Sequence, residues 1–396
     1  MAIAVARSMV RGSGILSGNI NCVPMTSELI ESFAHPDQFP DDVVKFFADA
    51  ERQYIEFGSG WYRNLVDSVF VQDAGVRFFV LRIDGAVTIA LPVRIRRSRG
   101  ATHVEALSNF YTAVYAPAIG ESTQASHMSR LIRGMQSVLP RLASFKLWPM
   151  DPQSASYRVL REGLAGAGFR CFDYFCFGNW YLRVDSDWPS YLAQRAGAVR
   201  STIKRMGKKF AAEGGRLELG FGGPDLGRQM AAYNEVYAAS WKVPEPYPAF
   251  VPGLIEACAQ RGWLRIGVAW LGDKPIAAQL WYVASGRAHI YKLAYHDAYK
   301  HLAPGTLLTA KLFEHVIEQD HVHEVDYLIG DDPYKQAWMS DRRERWGLVA
   351  YNPSTLVGMM GLARELLGRF AKQLRQTWFP DRNKPPSGSE AKDAGS

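Results

Sequence analysis

Two segments far apart in the chain follow one plan. The first runs Phe78-Phe79-Val80-Leu81-Arg82-Ile83, turns at Asp84-Gly85 and returns as Val87-Thr88-Ile89-Ala90-Leu91-Pro92-Val93. The second runs Leu264-Arg265-Ile266-Gly267-Val268-Ala269-Trp270, turns at Gly272-Asp273-Lys274 and returns from Pro275 to Tyr282. β-Branched and aromatic runs on both sides of an Asp/Gly turn specify a β-hairpin. In both, a β-branched residue stands three positions after the turn aspartate: Val87 after Asp84, Ile276 after Asp273. Each hairpin leads on to a strand, a helix and a further short strand. A supersecondary unit that occurs twice constrains the chain to a duplicated architecture. The order strand–turn–strand–strand–helix–strand gives a mixed sheet with helices packed on it. The expected fold class is therefore α/β (α+β): tandem halves with mixed, mostly antiparallel sheets flanked by helices.

With 396 residues, two domains of ordinary size fit. The pattern divides the chain into a flexible leader (1–40), a first domain (41–183), a second domain (184–353), a basic amphipathic helix (354–379) and a disordered tail (380–396). Helices are expected at 123–142, 155–167, 187–213, 225–240, 248–260 and 306–319. A long strand is expected at 169–183 and short ones at 216–221 and 325–329. In the helix at 306–319, Leu308, Leu312 and Val316 recur every four residues and make one apolar face. In the helix at 355–378, Leu356, Met360, Leu367, Phe370 and Leu374 make a stripe among Arg364, Arg369, Lys372 and Arg375. Such a helix either packs on its own domain or rests on a membrane surface or partner.

Hydrophobic residues make up 47% of the chain and charged residues 21%, enough to build a core. The apolar stretch 77–93 is interrupted by Arg82 and Asp84, so no membrane-spanning helix fits. No apolar core of a signal peptide follows Arg7 and Arg11. The four cysteines include no CxxC pair, which suits free thiols in a reducing compartment. The localisation expected is cytoplasmic, with a peripheral contact to the inner face of the membrane open through 355–378. The net charge of 46 − 39 = +7 favours anionic ligands, and no DNA partner is expected. His321 and His323 lack a third ligand at metal spacing, so no metal is expected. Neither a Gly-x-Ser-x-Gly elbow nor a Walker loop occurs.

The residues that can carry chemistry cluster between 286 and 338. The loop His301-Leu302-Ala303-Pro304-Gly305-Thr306 opens a helix. Unpaired N–H groups and the helix dipole make such an end a phosphate site, and Pro304 suits the first turn because it has no N–H to leave unpaired. An ordinary helix cap would have the same sequence. In the next strand and just after it come Asp326, Gly330, Asp331, Tyr334, Lys335 and Trp338. A carboxylate there can take a proton from an amine and a tyrosine can return one to a thiolate; a polar turn with ordinary ion pairs is the alternative. On the helix at 187–213, Arg200, Lys204 and Lys208 share a face, with Arg205 and Lys209 beside them. That face is either solvated or a contact for phosphates.

The pattern Tyr299, Ala303-Pro304-Gly305, Leu307-Leu308, Asp326, Gly330-Asp331, Tyr334-Lys335 and Trp338 resembles the GNAT acyltransferases of the CelD/BcsL type, related to the FemAB peptidyltransferases. The likeness is good over 187–350 and looser over 60–183. Ala303 stands where that family usually has Ser. The resemblance implies tandem GNAT-like domains, the first degenerate. It also implies direct transfer of an acyl group from acetyl-CoA or another acyl-CoA to an amine or hydroxyl. The sheet would split to hold the donor, with His301, Ala303, Pro304, Gly305 and Thr306 at its pyrophosphate. Asp326 or Asp331 would act as base or orienting group, Tyr334 as acid and Lys335 as charge clamp. Arg200, Lys204, Arg205, Tyr291 and Trp338 would contact substrate. The implied acceptor is a small molecule or glycan precursor of the cell envelope. A FemAB-like aminoacyl-tRNA donor and a non-catalytic scaffold subunit of a polysaccharide-synthesis complex are the alternatives.

Overall fold

The computed structural model describes residues 27–378. The earlier part of the expected leader, Cys22 and the tail at 380–396 lie outside the described residues. One sheet holds every described strand. In the first half these are β1 (Glu28–Phe33), β2 (Val76–Ile83), β3 (Ala86–Ser98), β4 (Ala101–Ala106), β5 (Ala118–Ile119), β6 (Leu142–Met150) and β7 (Arg170–Arg183). In the second they are β8 (Gly215–Gly220), β9 (Leu264–Leu271), β10 (Lys274–Ala284), β11 (Arg287–Tyr295), β12 (Glu324–Asp326) and β13 (Asp341–Tyr351). Their spatial order is β1-β2-β3-β4-β6-β13-β7-β12-β11-β10-β9-β8, with β5 lying on β3.

The duplication is visible in that order. β1-β2-β3-β4 and β8-β9-β10-β11 are antiparallel runs, and each is followed by one parallel step, β4 to β6 and β11 to β12. The strand that completes each half comes from the other. β7, at the end of the first half, pairs with β12, and β13, at the end of the second, pairs with β6. β7 and β13 then pair with each other from Tyr181↔Asp341 to Arg170↔Tyr351. The two expected sheets are thus one, and it runs unbroken across the expected boundary at 183/184.

The helices are α1 (Asp41–Glu51), α2 (Ser59–Ser68), α3 (Ala125–Val138), α4 (Ala155–Gly166), α5 (Trp188–Ala193), α6 (Gly197–Ala212), α7 (Leu226–Ala238), α8 (Phe250–Gln260), α9 (Pro304–Glu318), α10 (Pro333–Gln336) and α11 (Leu356–Trp378). Four expectations are corrected. Residues 28–33, placed in the leader, form edge strand β1 against β2. The basic helix at 187–213 is two helices, α5 and α6. The strand expected at 325–329 stops at Asp326, because Leu328 takes a left-handed φ of 55°. The helix expected to reach 142 ends at Val138, and β6 starts at Leu142.

One apolar core lies under α3 and α4 and a second under α9, where Trp281, Leu308, Leu312 and Phe313 are buried. A third lies between the halves. There Phe47, Tyr62 and Phe78 of the first meet Phe250, Leu264 and Tyr282 of the second. Each of these large side chains contributes about 2–3 kcal/mol by leaving water, so the halves are held by a core and not by a linker. No described helix is long and apolar enough to cross a membrane.

Candidate functional site

β11 and β12 pair as Arg287↔Glu324, Ala288↔Val325 and His289↔Asp326, and then part. The chain beyond β12 stays with β7: Tyr327 donates its N–H to the Trp180 carbonyl at 2.9 Å, and Gly330 bridges to Asn179. β11 stays with β10 but bulges on the way. Leu280 lies opposite Lys292 and Trp281 opposite Ile290, so Tyr291 is an extra residue. A bulge leaves its extra backbone group outside the ladder. Parted strands and a bulge thus fall at one place in the middle of the sheet, where backbone polar groups await partners.

The first turn of α9 belongs to the same place. Ala303 adopts φ 50°, ψ 42°, Pro304 begins the helix, and no side chain caps its end. The Gly305 carbonyl accepts from Gln279 Nε2 and Thr309 Oγ1, both at 2.9 Å. A Cβ on Gly305 would meet only the Tyr295 ring, at 3.5 Å, so the space above it is open. α6 lies alongside, with Gly207 packed toward the Leu307 side chain. Arg200, Lys204 and Arg205 are exposed, and no ion pair holds any of them among the described residues. An uncapped helix N-terminus favours an anion. His301 is exposed as well, with Nδ1 3.2 Å from the Ala298 carbonyl. His301 to Thr306 thus share one turn, and α6 packs beside it through Gly207 and Leu307.

The acidic and aromatic candidates do not converge in the same way. Asp326 is fully buried. It accepts from Asn179 Nδ2 and the Leu328 N–H, both at 2.6 Å, and pairs with Arg343. Burial works to raise its pKa, but Arg343, His289 and Arg345 outweigh it and hold the carboxyl below the usual range. That environment suits an orienting group better than a base. Asp331 faces outward and pairs with Arg342 at 2.7 Å. Lys335 is buried, its ammonium turned back onto the Ile329 carbonyl and 3.1 Å from Asp332. It therefore pins the 328–332 turn. Tyr334 is half exposed, its ring edge-on to Tyr327, and burial pushes its pKa up to about 12. Two expected substrate contacts lie elsewhere. Trp338 is core, stacked on Phe313 at 5.2 Å. The Tyr291 ring faces the core between the halves, near Trp61 and Tyr282.

Sequence reasoning missed a buried polar cluster at the parting point. His289 stacks on Tyr282 at 4.6 Å, and neither ring nitrogen has a hydrogen-bond partner. Burial lowers its pKa to about 4, so the ring is neutral. Glu56, from the first half, is 1% exposed and without a hydrogen bond to either oxygen. The Tyr282 hydroxyl lies near Glu56 without reaching hydrogen-bond geometry. Burial raises the Glu56 pKa to about 7. Arg345, only 2% exposed, adjoins both the Tyr54 ring and Asn179. An unsatisfied buried carboxyl is costly and marks a candidate functional group. A second missed cluster borders β11. Glu245 accepts from the Tyr111 hydroxyl at 2.5 Å, the Tyr237 hydroxyl at 2.6 Å and Lys292 at 2.6 Å. Next to it, Trp241 lies against Tyr295 at 4.5 Å, at the far end of β11.

The matching place in the first half is filled. β4 and β6 also part after Glu105↔Lys146, but the chain at 107–116 enters the gap. Tyr115 spans it: its N–H donates to the Pro149 carbonyl of β6 at 2.5 Å, and its hydroxyl to the Pro92 carbonyl of β3 at 2.7 Å. α3, which stands where α9 stands in the second half, is closed by a capping box of Gln124 and His127.

Residues 197–336, from α6 to α10, match the family model of an acetyltransferase (GNAT) domain. Nothing among the curated proteins matches. Among solved structures the chain is similar to FemX, at 10% identity over 70% of this chain and 88% of that one, with a TM-score of 0.50. It is similar to a conserved protein of unknown function from Bacteroides thetaiotaomicron, at 9% identity over 78% and 96%, also at 0.50. A tandem GNAT protein from the clavulanic acid biosynthesis pathway is 15% identical over 81% and 98%, at 0.43. The second half has the GNAT acyltransferase fold expected from the pattern at 299–338.

Proposed function

We propose that the chain passes an acyl group from a CoA thioester to an amine or hydroxyl on a small molecule or glycan precursor. The observation that carries this reading is the parting of β11 and β12 at His289 and Asp326 beside the uncapped N-terminus of α9. A long narrow donor fits between the strands. Its pyrophosphate fits the N–H groups of Gly305 and Thr306, with Arg200, Lys204 and Arg205 of α6 adding charge. The backbone freed by the bulge at Tyr291 suits the developing oxyanion.

Glu56 takes the role of proton acceptor. As the acceptor nitrogen or oxygen bonds to the acyl carbon, its proton passes to the Glu56 carboxylate and the C–S bond electrons leave with sulfur. Asp326, held ionised by Arg343, fixes Asn179 and the Leu328 backbone at the parting point and does not itself take a proton. Tyr334 stays protonated at neutral pH and can return a proton to the thiolate. The Glu245 cluster lines the acceptor's approach along β11.

Calorimetry with CoA and acetyl-CoA tests this reading. One molecule should bind per chain, because Tyr115 fills the first-half gap. Arg200→Glu with Lys204→Glu should weaken binding at least about tenfold while leaving the melting curve in place, since both side chains are exposed. If neither CoA nor acetyl-CoA binds the wild-type chain, the reading fails. An aminoacyl-tRNA donor would use the same α6 cations, and filter binding to charged tRNA separates it.

A further inference from the structure

Helix α11 turns its apolar side away from the protein. Its first half is set against the sheet by small residues. A Cβ on Gly358 would lie 2.1 Å from the Asn352 carbonyl and 2.9 Å from that of Ala143, and a Cβ on Gly361 would meet the Tyr351 ring at 2.5 Å. Farther along, Arg369 donates to the Asp173 carbonyl at 2.8 Å, lies over the Phe172 ring and pairs with Glu365 at 2.8 Å. At 100° per residue, Gly358, Gly361, Glu365 and Arg369 fall on one side of the helix. Leu356, Met360, Leu367, Phe370 and Leu374 fall on the opposite side, and they are between 42 and 69% exposed. Of the eighteen exposed large hydrophobic side chains among the described residues, seven stand on this one helix. A continuous apolar stripe of this kind marks an interaction surface, where scattered single residues would not.

The charges say what covers it. Arg364 and Lys372 are exposed, and no ion pair holds either among the described residues. Glu365 is the only acid on α11; it lies on the packed side and is already paired with Arg369. By the same rotation Arg364 stands at the edge of the apolar face, Lys372 lies on the side of Arg369, and no free carboxylate borders the face. A second copy laid against it would offer Arg364 no free carboxylate from its own α11. A surface of phosphate headgroups above acyl chains complements both the stripe and its border. No described helix is apolar enough to cross a bilayer, so the geometry is that of a helix lying in the interface.

We propose that α11 docks this protein on an anionic lipid surface. Leu356, Met360, Leu367, Phe370 and Leu374 enter the headgroup–acyl boundary, Arg364 meets lipid phosphates, and Lys372 adds unpaired positive charge to the same segment. The inference is independent of the acyl-transfer reading.

Co-sedimentation of the full chain with vesicles tests it. Wild type should pellet with vesicles of phosphatidylcholine mixed with phosphatidylglycerol. Pure phosphatidylcholine should pellet it weakly, and added salt should release it. Leu367→Glu with Phe370→Glu should cut binding roughly tenfold or more. Arg364→Gln with Lys372→Gln should remove the preference for the anionic vesicles. All four side chains are exposed, so circular dichroism and melting should match wild type, which separates lost docking from lost folding. Failure of the wild type to pellet with anionic vesicles overturns the proposal, as does equal pelleting of the Glu variant. A lipid-free dimer seen by analytical ultracentrifugation and abolished by the Glu variant also overturns it, by assigning the stripe to a second copy.

Discussion

In the segment Tyr54-Ile55-Glu56-Phe57, Glu56 has the character of an ordinary surface residue, since charged side chains usually stay in water. Its burial comes from the docking of the second half, which local sequence does not encode. Burial raises its pKa from 4.5 to about 7. The folded chain therefore holds this proton more tightly than the unfolded chain does, and between pH 4.5 and 7 stability falls as pH rises. A difference of that size corresponds to about 3 kcal/mol once the group is ionised. Glu56→Gln should remove that slope, so the variant gains stability over wild type at pH 8 relative to pH 5 in urea titrations. In turnover assays with an accepted acceptor, wild-type kcat/KM should climb through about pH 7 and the variant should stay low and flat. Asp326 shows the reverse case. It was legible as an acid in a short strand, but its partner Arg343 lies in a stretch that gave no strand signal. Arg343→Met should cost about 3–5 kcal/mol, because it leaves a buried carboxylate unpaired. Asp326→Asn combined with Arg343→Met should recover part of the loss, and a double-mutant cycle by chemical denaturation measures the coupling.

Among the elements, α9 was the easiest to foresee. A Pro-Gly opening and a Leu/Leu/Val face at helical spacing are local signals, and both describe what forms. The capless N-terminus has a backbone cost at Ala303, a non-glycine residue at φ 50°. Left-handed backbone costs a residue with a Cβ about 1–2 kcal/mol, while glycine gains unfolded-state freedom. Ala303→Gly should therefore stabilise the chain by about 0.5–1 kcal/mol, read as a higher melting temperature. CoA affinity should not change, because the N–H groups of Gly305 and Thr306 are untouched. β13 was the hardest element to see. Asp341-Arg342-Arg343-Glu344-Arg345 contains no apolar residue, so no period-2 pattern can appear. The strand forms because these charges meet partners across the sheet: Asp331 for Arg342, Glu324 and Asp326 for Arg343, Asp151 for Arg345. β1 escaped notice because only one flank of this edge strand has a neighbour.

For the whole molecule, the internal duplication was legible in the paired hairpins, but the exchange between halves was not. Pairing of β13 with β6 joins residues about 200 positions apart and that of β7 with β12 residues about 140 apart, and nothing local in either partner announces the other. The exchange makes each half depend on the other for the strand beside its parallel step. Cutting the chain in the segment after β7, near Asp185, would leave β6 without β13 in the first fragment and β12 without β7 in the second. Each fragment would also expose its side of the core that contains Phe47, Tyr62, Phe78, Phe250 and Tyr282. Unpaired strand edges and a bare apolar face lead to aggregation and not to a smaller stable domain. Residues 27–184 and 185–378 expressed separately should therefore be insoluble or lack a cooperative melting transition. Co-expressed, they should co-purify as one species that melts in a single step near the intact chain. A cooperative melt from either fragment alone would mean that the strand exchange is not needed for folding. The same coupling places Glu56 of one half near Tyr282 and Arg345 of the other, so only the reconstituted pair should regain the pH dependence expected of the intact protein.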